Sequence, residues 1–498
     1  MAAVGVTVES IEVPASTSSQ YNTANAFVIG ESDWGPVGQA IKTSALSNAA
    51  SAIGTPSGSG NPNSSRTATD ANLFDAANTF YQEDGQASPN VYFSRVVGPT
   101  PVNATLALGP SAALTLTAQY PGVGGNGILA AIQNSTSTYT LTLYDTLGNV
   151  LAASPSLSTL AAGVAWAATT GLVTAVLSGS TLPATAAATA LSGGTDNRGS
   201  ATITSYQTAL TAFSATLGPG QVFVPNTTNT TLSGIWSAIG THAQAFNRVA
   251  ICDMDDNQSV SALISDLASF GTSGVASYCG FWAGSRLIPG TTPGTTRTIS
   301  PSAVIAALCA RVDVSGNPNQ AAAGVDYPLA YATSPASIVS GAPYDTYSLA
   351  DLATLNGAGI NTFQTANGLP CNYGFVSSEL SSQDVTYWQF NHARLRMYIV
   401  AQAQILGQPF VFSQIDGQGS QAVAFKNVLQ GLLQNLYAAG ALYGATASQA
   451  FKVDTGSDVN TPATIAAGQL NAVLTVSFSY FAQNVNIQVQ VTPITAIL

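Results

Sequence analysis

Charge is what this sequence has least of. Only 7% of its 498 residues are Asp, Glu, Lys or Arg, whereas these residues make up about a quarter of a typical globular protein. The 12 Lys and Arg residues are scattered singly and the net charge is −11, so no basic patch is present to bind nucleic acid. Such a surface is typical of a subunit that buries much of it in permanent contacts. The chain length predicts two or three domains.

Cysteine and histidine are also scarce. The chain has two histidines and four cysteines that lie far apart, at Cys252, Cys279, Cys309 and Cys371. This spacing fits neither a disulfide framework nor a zinc site, so we expect free buried thiols. The N-terminus lacks a basic start followed by an apolar run, so the sequence predicts no secretory signal.

Long apolar runs are missing as well. Residues 159–179 are numerous enough to cross a membrane, but Gly163, Gly171 and four threonines interrupt them and no basic residue flanks them. Because an inserted helix needs an apolar stretch with basic or aromatic flanks, we expect a buried helix and strand here and no membrane insertion.

The last hundred residues carry the clearest periodicity. Apolar residues at a spacing of 3.6 predict a helix over 388–406 and a second one over 425–436, with Ser420 as its N-cap and Gly440 as its stop. The period then changes to two, which predicts a half-buried strand over 470–480.

Both ends of the chain show a strand-like alternation. The C-terminal stretch carries no charge, and an uncharged regular strand at a sheet edge pairs readily with another chain. Pro14 and the polar run to Gln20 separate the N-terminal stretch from the first predicted strand of the core. We therefore predict inter-subunit arms formed by Val4, Val6 and Val8 and by Val485, Ile487, Val489 and Val491.

The rest of the chain alternates between strands and helices. Short apolar strands are predicted at 26–30 and 91–97, on either side of a helix over 70–81. After residue 199, strands at 222–224 and 249–251 alternate with helices over 206–213, 232–246 and 260–270. This alternation predicts an α/β sheet with crossover helices.

Two motifs could carry chemistry. The stretch 122–127 matches the GxGxxG pattern with Asp145 downstream, but a dinucleotide site needs a helix to open at the glycines, and only a strand-like alternation follows. We interpret it as a glycine turn between strands. Asp253, Asp255 and Asp256 follow a strand, yet the spacing fails as a calcium loop. We interpret them as a solvated strand end, with Asn257 or Ser259 capping the next helix.

The C-terminal helix contains a histidine and two arginines. His392 shares a face with apolar residues, and no nucleophile motif accompanies it, so a core or interface histidine is favoured over a catalytic base. Arg394 and Arg396 fall on the other side, where they are either surface charges or contacts to a neighbouring subunit. We find no complete catalytic set and expect no enzyme activity and no cofactor.

Short motifs in order along the chain resemble those of contractile phage tail sheath proteins. Residues 136–190 depart from the pattern, which leaves their fold open. The matching stretches are Gly35-Pro36, Ile53-Gly54, Phe80-Tyr81, Val91 to Val97, Tyr120-Pro121-Gly122 with Gly125-Asn126, Leu191 to Asp196, Leu355-Asn356 with Gly359-Ile360-Asn361, Trp388 with Arg394 and Arg396, Gly440-Ala441-Leu442 and Gly468-Gln469-Leu470.

The resemblance implies a multidomain α+β or α/β fold, with an α/β core, a β-rich inserted outer domain and a strand arm at each end. The expected divisions are an N-terminal arm (1–20), the first part of the core (21–100), a β-rich protruding domain (101–198), an α/β core domain (199–380), an inner, tube-facing domain (381–483) and a C-terminal arm (484–498).

The resemblance also implies a function. Such a subunit stacks as hexameric rings around a tail tube and contracts to drive the tube through the host envelope. Its partners would be further copies, the tail tube protein, and baseplate and terminator proteins, in a virion assembled in the bacterial cytoplasm. Arg394 and Arg396 would then be candidates for contact with the tube as well as with a neighbouring subunit. The alternatives are the sheath of a related secretion system or bacteriocin, a secreted β-rich adhesion protein and, last, an enzyme.

Overall fold

The computed structural model describes part of the chain. The described residues are 23–53, 73–83, 90–109, 113–256, 258–268, 270, 274–289, 294, 296–314, 317–336, 347–379, 385–483, 485 and 487–489. Val4, Val6, Val8 and Val491, which the sequence predicts to belong to the arms, lie outside these residues.

The N-terminal segment supplies strands and helices of the core. The run from Ala26 to Ile29 is buried on both faces, as in parallel strands covered by helices on each side. The helix predicted over 70–81 is present from Leu73, and it buries Ala77 and Phe80 as expected. The elements are β1 (Ala26–Glu31), β2 (Ile41–Thr43), α1 (Leu46–Ile53), α2 (Leu73–Glu83) and β3 (Val91–Val96).

The next segment, which we call the insert (residues 101–198), folds around a core of its own. Its strands alternate buried and partly exposed residues, most regularly over 138–144, because one face of each sheet packs inward. The elements are β4 (Thr105–Leu108), β5 (Leu114–Ala118), β6 (Leu129–Ser135), β7 (Thr138–Tyr144), β8 (Val150–Ala153), α3 (Leu160–Thr169), β9 (Val173–Leu177) and β10 (Ala186–Ala190).

The insert forms two antiparallel sheets, of order β4-β5-β9 and β10-β6-β7-β8. The stretch 136–190, whose fold the sequence left open, therefore completes a β-rich domain. Residues 159–179 contain α3 and β9, which confirms a helix and a strand, but the prediction that they are buried is wrong for β9, in which only Val173 is buried. None of the described helices is long and apolar enough to cross a membrane.

Residues after the insert return to the core and alternate as predicted. The elements are α4 (Ile203–Leu210), β11 (Gln221–Phe223), α5 (Ile235–Ala245), β12 (Val249–Asp253), α6 (Val260–Ala268), β13 (Cys279–Trp282), β14 (Arg286–Pro289), β15 (Thr296–Ile299), α7 (Pro301–Val314), β16 (Ser334–Pro335), α8 (Leu349–Gly357), β17 (Ile360–Asn361), β18 (Phe363–Ala366) and β19 (Leu369–Asn372).

One sheet joins the two core segments. Its described strands run in the order β17-β13-β12-β11-β1-β3-β2, all parallel except β2, which is antiparallel to β3. Since β1 lies between β3 and β11, the chain before and after the insert builds one domain. Helices cover both faces, with α2 and α7 in one apolar cluster and α4, α5 and α6 in the other.

The C-terminal segment packs two long helices against a small sheet. The described elements are α9 (Phe390–Gly407), α10 (Ser420–Ala438), α11 (Ala447–Ala450), β20 (Phe451–Asp454), α12 (Pro462–Ala466) and β21 (Val473–Val476). Leu395 and Leu433 belong to a separate apolar cluster here. The strand predicted over 470–480 is thus shorter than expected.

The ends of α10 differ in how well the sequence predicts them. The N-cap is Gly419, and Ser420 is the first helical residue, whose backbone N–H donates to Asp416 Oδ1 at 2.8 Å; the predicted Ser420 cap is wrong. At the other end Gly440 has φ 76°, and Gly440 N and Ala441 N donate to the carbonyl oxygens of Tyr437 and Leu436. This pair of hydrogen bonds is a Schellman stop, as predicted.

Candidate functional site

The described residues of the C-terminal arm, 485 and 487–489, belong to no strand in the single subunit. Val485, Ile487 and Val489 are 78%, 81% and 81% exposed, and the described residues from 485 onward form no strand. Exposed apolar alternation without a partner is what a strand awaiting another chain would show. The inter-subunit role of these residues stays a prediction.

A two-stranded sheet with open edges lies in the same C-terminal segment as this arm. β20 and β21 pair only with each other among the described strands, over Phe451↔Val476 to Asp454↔Val473. A two-stranded sheet is marginal by itself, and here α10 packs against it. No described strand pairs with the outer edge of β20 or of β21.

The segment leading to the arm is held by His392. The ring is buried; Nδ1 lies 2.5 Å from Thr386 O and Nε2 lies 3.2 Å from Ser479 O. Its centroid is 5.2 Å from that of Phe478 and 4.7 Å from that of Tyr480. Burial lowers the pKa of His392, and the two carbonyl oxygens oppose this shift. The prediction of a core histidine is confirmed.

Arg394 is not the outward-facing residue that the sequence suggests. Its side chain is fully buried, and Nη2 lies 2.5 Å from Asp313 Oδ1 and 3.0 Å from Cys309 O. Burial raises the pKa of Asp313, while Arg394 lowers it. The predicted tube or neighbour contact is therefore wrong for Arg394, because α7 covers the side of α9 that periodicity indicates as polar.

Arg396 is half-buried and is also used within the subunit. Its guanidinium carbon lies 3.8 Å from the ring centroid of Tyr278 and 4.4 Å from that of Tyr387. Stacking of this kind stabilises a folded chain by about 0.5–1 kcal/mol at exposed sites. A contact to a neighbour through Arg396 stays an untested prediction.

The acidic residues after β12 line a cavity of ≈ 530 Å³ at the carboxyl edge of the sheet. Asp253 is 2% exposed, and its two oxygens accept hydrogen bonds from Ser302 N and Ser302 Oγ, both at 2.8 Å. The predicted solvated strand end is wrong for Asp253, because the N-terminus of α7 packs on it. Burial raises the pKa of Asp253 to about 7.

The neighbouring acids are tied to the protein. Asp255 accepts a hydrogen bond from Thr228 Oγ1, and Asp256 accepts one from Ser285 N at 3.2 Å. Ser259 Oγ accepts from Ala262 N at 3.3 Å, so the predicted helix cap is confirmed. Asn257, the other predicted cap, lies outside the described residues. The described part of the chain brings no three His, Cys, Asp or Glu side chains together as metal ligands.

The glycine motif is a turn between strands, as predicted. A 3₁₀ turn over Val123–Gly127 joins β5 to β6, and no helix opens there to hold a pyrophosphate. The four cysteines are buried and free, also as predicted.

The same glycine turn docks the insert onto the core. Arg95 on β3 is fully buried; its Nε donates to Ser32 O, and its Nη1 donates to Gly35 O and Pro121 O, each at 2.8 Å. Asp196, at the far end of the insert, lies 3.6 Å from Arg95 Nη2. Burial lowers the pKa of Arg95 to about 10, against the attraction of Asp196.

A second arginine completes this junction. Arg198 Nη2 lies 2.6 Å from Asp33 Oδ1, and Arg198 Nε donates to Asp196 Oδ1 at 2.9 Å. A Cβ on Gly124 would stand 2.6 Å from Asp33 O, so the two backbones touch. The sequence analysis did not predict this cluster of charged residues. The one feature of the sequence that could have indicated it is that charged residues are rare in the chain.

Comparison of the sequence alone finds nothing. No model of a known protein family matches it, and no curated protein matches it. Comparison of the fold is informative. A sheath tail protein from Desulfitobacterium hafniense matches with 13% identity and a TM-score of 0.60, covering 91% of this chain and 93% of its own. A sheath tail protein from Listeria innocua matches with 13% identity and a TM-score of 0.57, covering 88% and 90%.

A third match extends over the whole chain. It is the sheath of an extracellular contractile injection system, PVC, in the contracted state, with 12% identity, a TM-score of 0.56 and coverage of 100% of this chain and 99% of that one. The chain therefore has the fold of contractile sheath proteins. The α/β core and the inserted β-rich domain fit the fold class that the sequence motifs predicted.

Proposed function

We propose that this chain is the structural subunit of a contractile sheath, which polymerises around an inner tube and shortens to drive the tube through an envelope. The observation that carries the proposal is a sheath fold over nearly the whole chain, together with an exposed apolar C-terminal arm. The subunit acts by packing, with no catalytic step and no cofactor.

Polymerisation would proceed by strand exchange. The arm at Val485, Ile487 and Val489 has no partner strand among the described residues, and the β20–β21 sheet offers open edges. An arm from one subunit that adds to this sheet in the next gains about 1 kcal/mol net for each backbone hydrogen bond. Each buried Val or Ile adds up to about 1.5–3 kcal/mol, and the two gains together offset about 1–2 kcal/mol of backbone entropy for each ordered residue. The N-terminal arm, residues 1–20, would join the same kind of contact.

Contraction would need two packings of the same subunit, with the extended one kinetically trapped. Arms that stay paired would keep neighbours connected while the rigid cores slide. New burial between subunits would supply the free energy, at about 25 cal/mol for each Å² of apolar area. In this arrangement the subunits stack as hexameric rings.

The tube contact needs a new assignment, since Arg394 is buried. We propose the connection between α9 and α10 instead. Phe412 there is fully exposed with φ 64°, a conformation that is strained for a bulky residue. Val411 beside it is also exposed. An apolar tip of this kind fits an apolar recess on the tube subunit.

The remaining assignments follow from the proposed class. Partners would include baseplate and terminator proteins at the two ends of the sheath. A phage tail assembled in the bacterial cytoplasm and a related injection machine both fit, since sheaths of both kinds share the fold. Neighbouring genes would separate the two.

Truncation after Gln483 tests the proposal. The core should stay folded, because the described arm makes no strand, whereas tubes should not form. A matched pair sharpens the test: Ile487→Lys places a charge in the paired edge and should block assembly, while Gln488→Lys, on the alternate side, should assemble. Circular dichroism and sedimentation report folding and polymer. Tubes of normal length from the truncated chain would refute strand exchange.

A further inference from the structure

The surface of the insert carries no exposed charge. Between residues 101 and 195 the sequence contains one charged side chain, Asp145, and its own turn covers it. Asp145 is 6% exposed and accepts hydrogen bonds from the backbone of Leu147 and Asn149 at 2.9 and 2.8 Å. A domain surface normally carries about a quarter to a third charged residues, so this neutrality calls for a physical reason.

One edge strand of the insert lacks the features that normally prevent pairing with another chain. β9 ends the sheet β4-β5-β9 and pairs with β5 in unbroken register from Val173 to Leu177. No described strand lies along its other edge, and Val176 is 60% exposed. Natural edges are protected by charge, proline or a bulge, and β9 has none of these. β10, by contrast, contains a register shift.

A second neutral edge lies on the other sheet of the insert. β8 ends the sheet β10-β6-β7-β8, and Val150 on it is 59% exposed. β8 contains no charge and no proline, and its pairing with β7 shifts register between Leu143 and Tyr144. The insert thus offers two different open edges, one on each sheet.

We propose that the β9 edge of one copy pairs with the β8 edge of the next copy, so that the inserts form a lateral contact in the polymer. The proposal rests on the proposed sheath function. Contact between different edges is heterologous, so it propagates from copy to copy instead of closing a pair.

The distribution of charge favours a second copy of this chain as the partner of the open edges. The chain carries a net charge of −11, so copies repel wherever charged surfaces meet, and the insert is a large surface where they meet without like-charge repulsion. A nucleic acid or an acidic envelope would find no basic residue here. A charged protein partner would have to bury charges without counter-ions, which is costly.

The test uses the full chain and the critical concentration for tube formation, measured by sedimentation. Val176→Lys and Val150→Glu should each raise it by about tenfold, the factor that corresponds to losing about 1.4 kcal/mol of contact. In an antiparallel register that places Val176 opposite Val150 of the next copy, the two new charges would face each other, and the double variant should then return close to the wild-type value. Ala188→Lys, on β10 at the opposite edge of the same sheet as β8, is the matched control and should assemble normally.

A disulfide experiment covers the case in which a lysine variant folds poorly. Thr174→Cys with Ala152→Cys, which the same antiparallel register places opposite each other, should give covalent chains of subunits upon oxidation of the polymer, and neither single variant should. The lateral contact alone would be overturned if Val176→Lys had the same critical concentration as the wild type, or if the double cysteine variant gave no covalent chains. A wild-type chain that forms no polymer would overturn the proposed function together with it.

Discussion

Buried charged residues in this chain hold helices together and are not free to bind partners. Arg394 and Asp313 join α9 to α7 in the core. Leaving one charge of a buried pair without its partner costs about 3–5 kcal/mol, whereas replacing both by apolar side chains is often nearly neutral. The ion pair therefore leads to a specific prediction about the free energy of unfolding.

Arg394→Ala should lower the free energy of unfolding by about 3–5 kcal/mol, because Asp313 then stays buried without a counter-charge. Arg394→Met combined with Asp313→Leu should recover most of this loss. Arg396→Ala, two residues away and half-exposed, should cost about 1 kcal/mol or less. Urea unfolding measures all three. Equal losses for the two single arginine variants would contradict the assignment.

Asp253 predicts a dependence of stability on pH. Its pKa is about 7 in the folded chain and 3.8 ordinarily, so between these values the folded state holds a proton that the unfolded state releases. The stability that this group contributes is fully present below pH 3.8 and is lost as the pH rises through 7. Burial is the main cause, and Asp256 adds to it.

Asp253→Asn should therefore remove that part of the pH dependence. The unfolding free energy of the wild type minus that of the variant should fall from acid to neutral pH. His242 and His392, whose pKa values are lowered by burial, act in the opposite sense on both proteins and cancel in the difference. Urea midpoints over the pH range provide the measurement, and a constant difference would show that Asp253 does not titrate as described.

At the scale of elements, the junction between insert and core depends on backbones that touch. Gly124→Ala should destabilise the docking of the insert by about 1–3 kcal/mol, because the new Cβ would stand 2.6 Å from Asp33 O. Gly199→Ala is the matched control, since nothing lies within 4 Å of a Cβ there. Limited proteolysis and thermal unfolding would detect the loosened insert. Identical behaviour of the two variants would argue against a tight junction.

The sequence predicts elements well where one periodic face meets one core. The helices α9 and α10 and the strand β3 follow from local pattern, and the glycine stop of α10 follows from its φ requirement. Prediction fails where distant segments converge. Arg394 is predicted to face outward, yet α7, far away in sequence, covers that side of α9. Asp253 is predicted to be solvated, yet the start of α7 packs on it.

The junction illustrates the same limit at a candidate functional site. Arg95, Asp196, Arg198 and Asp33 come from three separate stretches, and no spacing rule connects them. The arm residues, in contrast, are visible in the sequence, because an apolar alternation without charge needs no tertiary context to be recognised. The partner strand of the arm depends on other subunits, which a single chain does not contain.

At the scale of the whole molecule, the insert supplies all of its apolar cluster except Trp34 and should be removable. Joining Thr100 to Gly199 through a short Gly/Ser linker should leave the seven-stranded sheet folded and should still give tubes, at a higher protein concentration because the lateral contact is lost. Circular dichroism shows whether the sheet is folded, and electron microscopy shows whether tubes form. A folded core that forms no tubes at any concentration would contradict the view that the arms connect the subunits and that the insert only adds a lateral contact.

The central claim is that this chain builds a sheath, and electron microscopy of the purified full-length protein in negative stain tests it most directly. The account predicts rings or ribbed tubes with a hollow centre, which lengthen as the protein concentration rises. Dispersed single subunits at every concentration, with the core shown to be folded by circular dichroism, would contradict it.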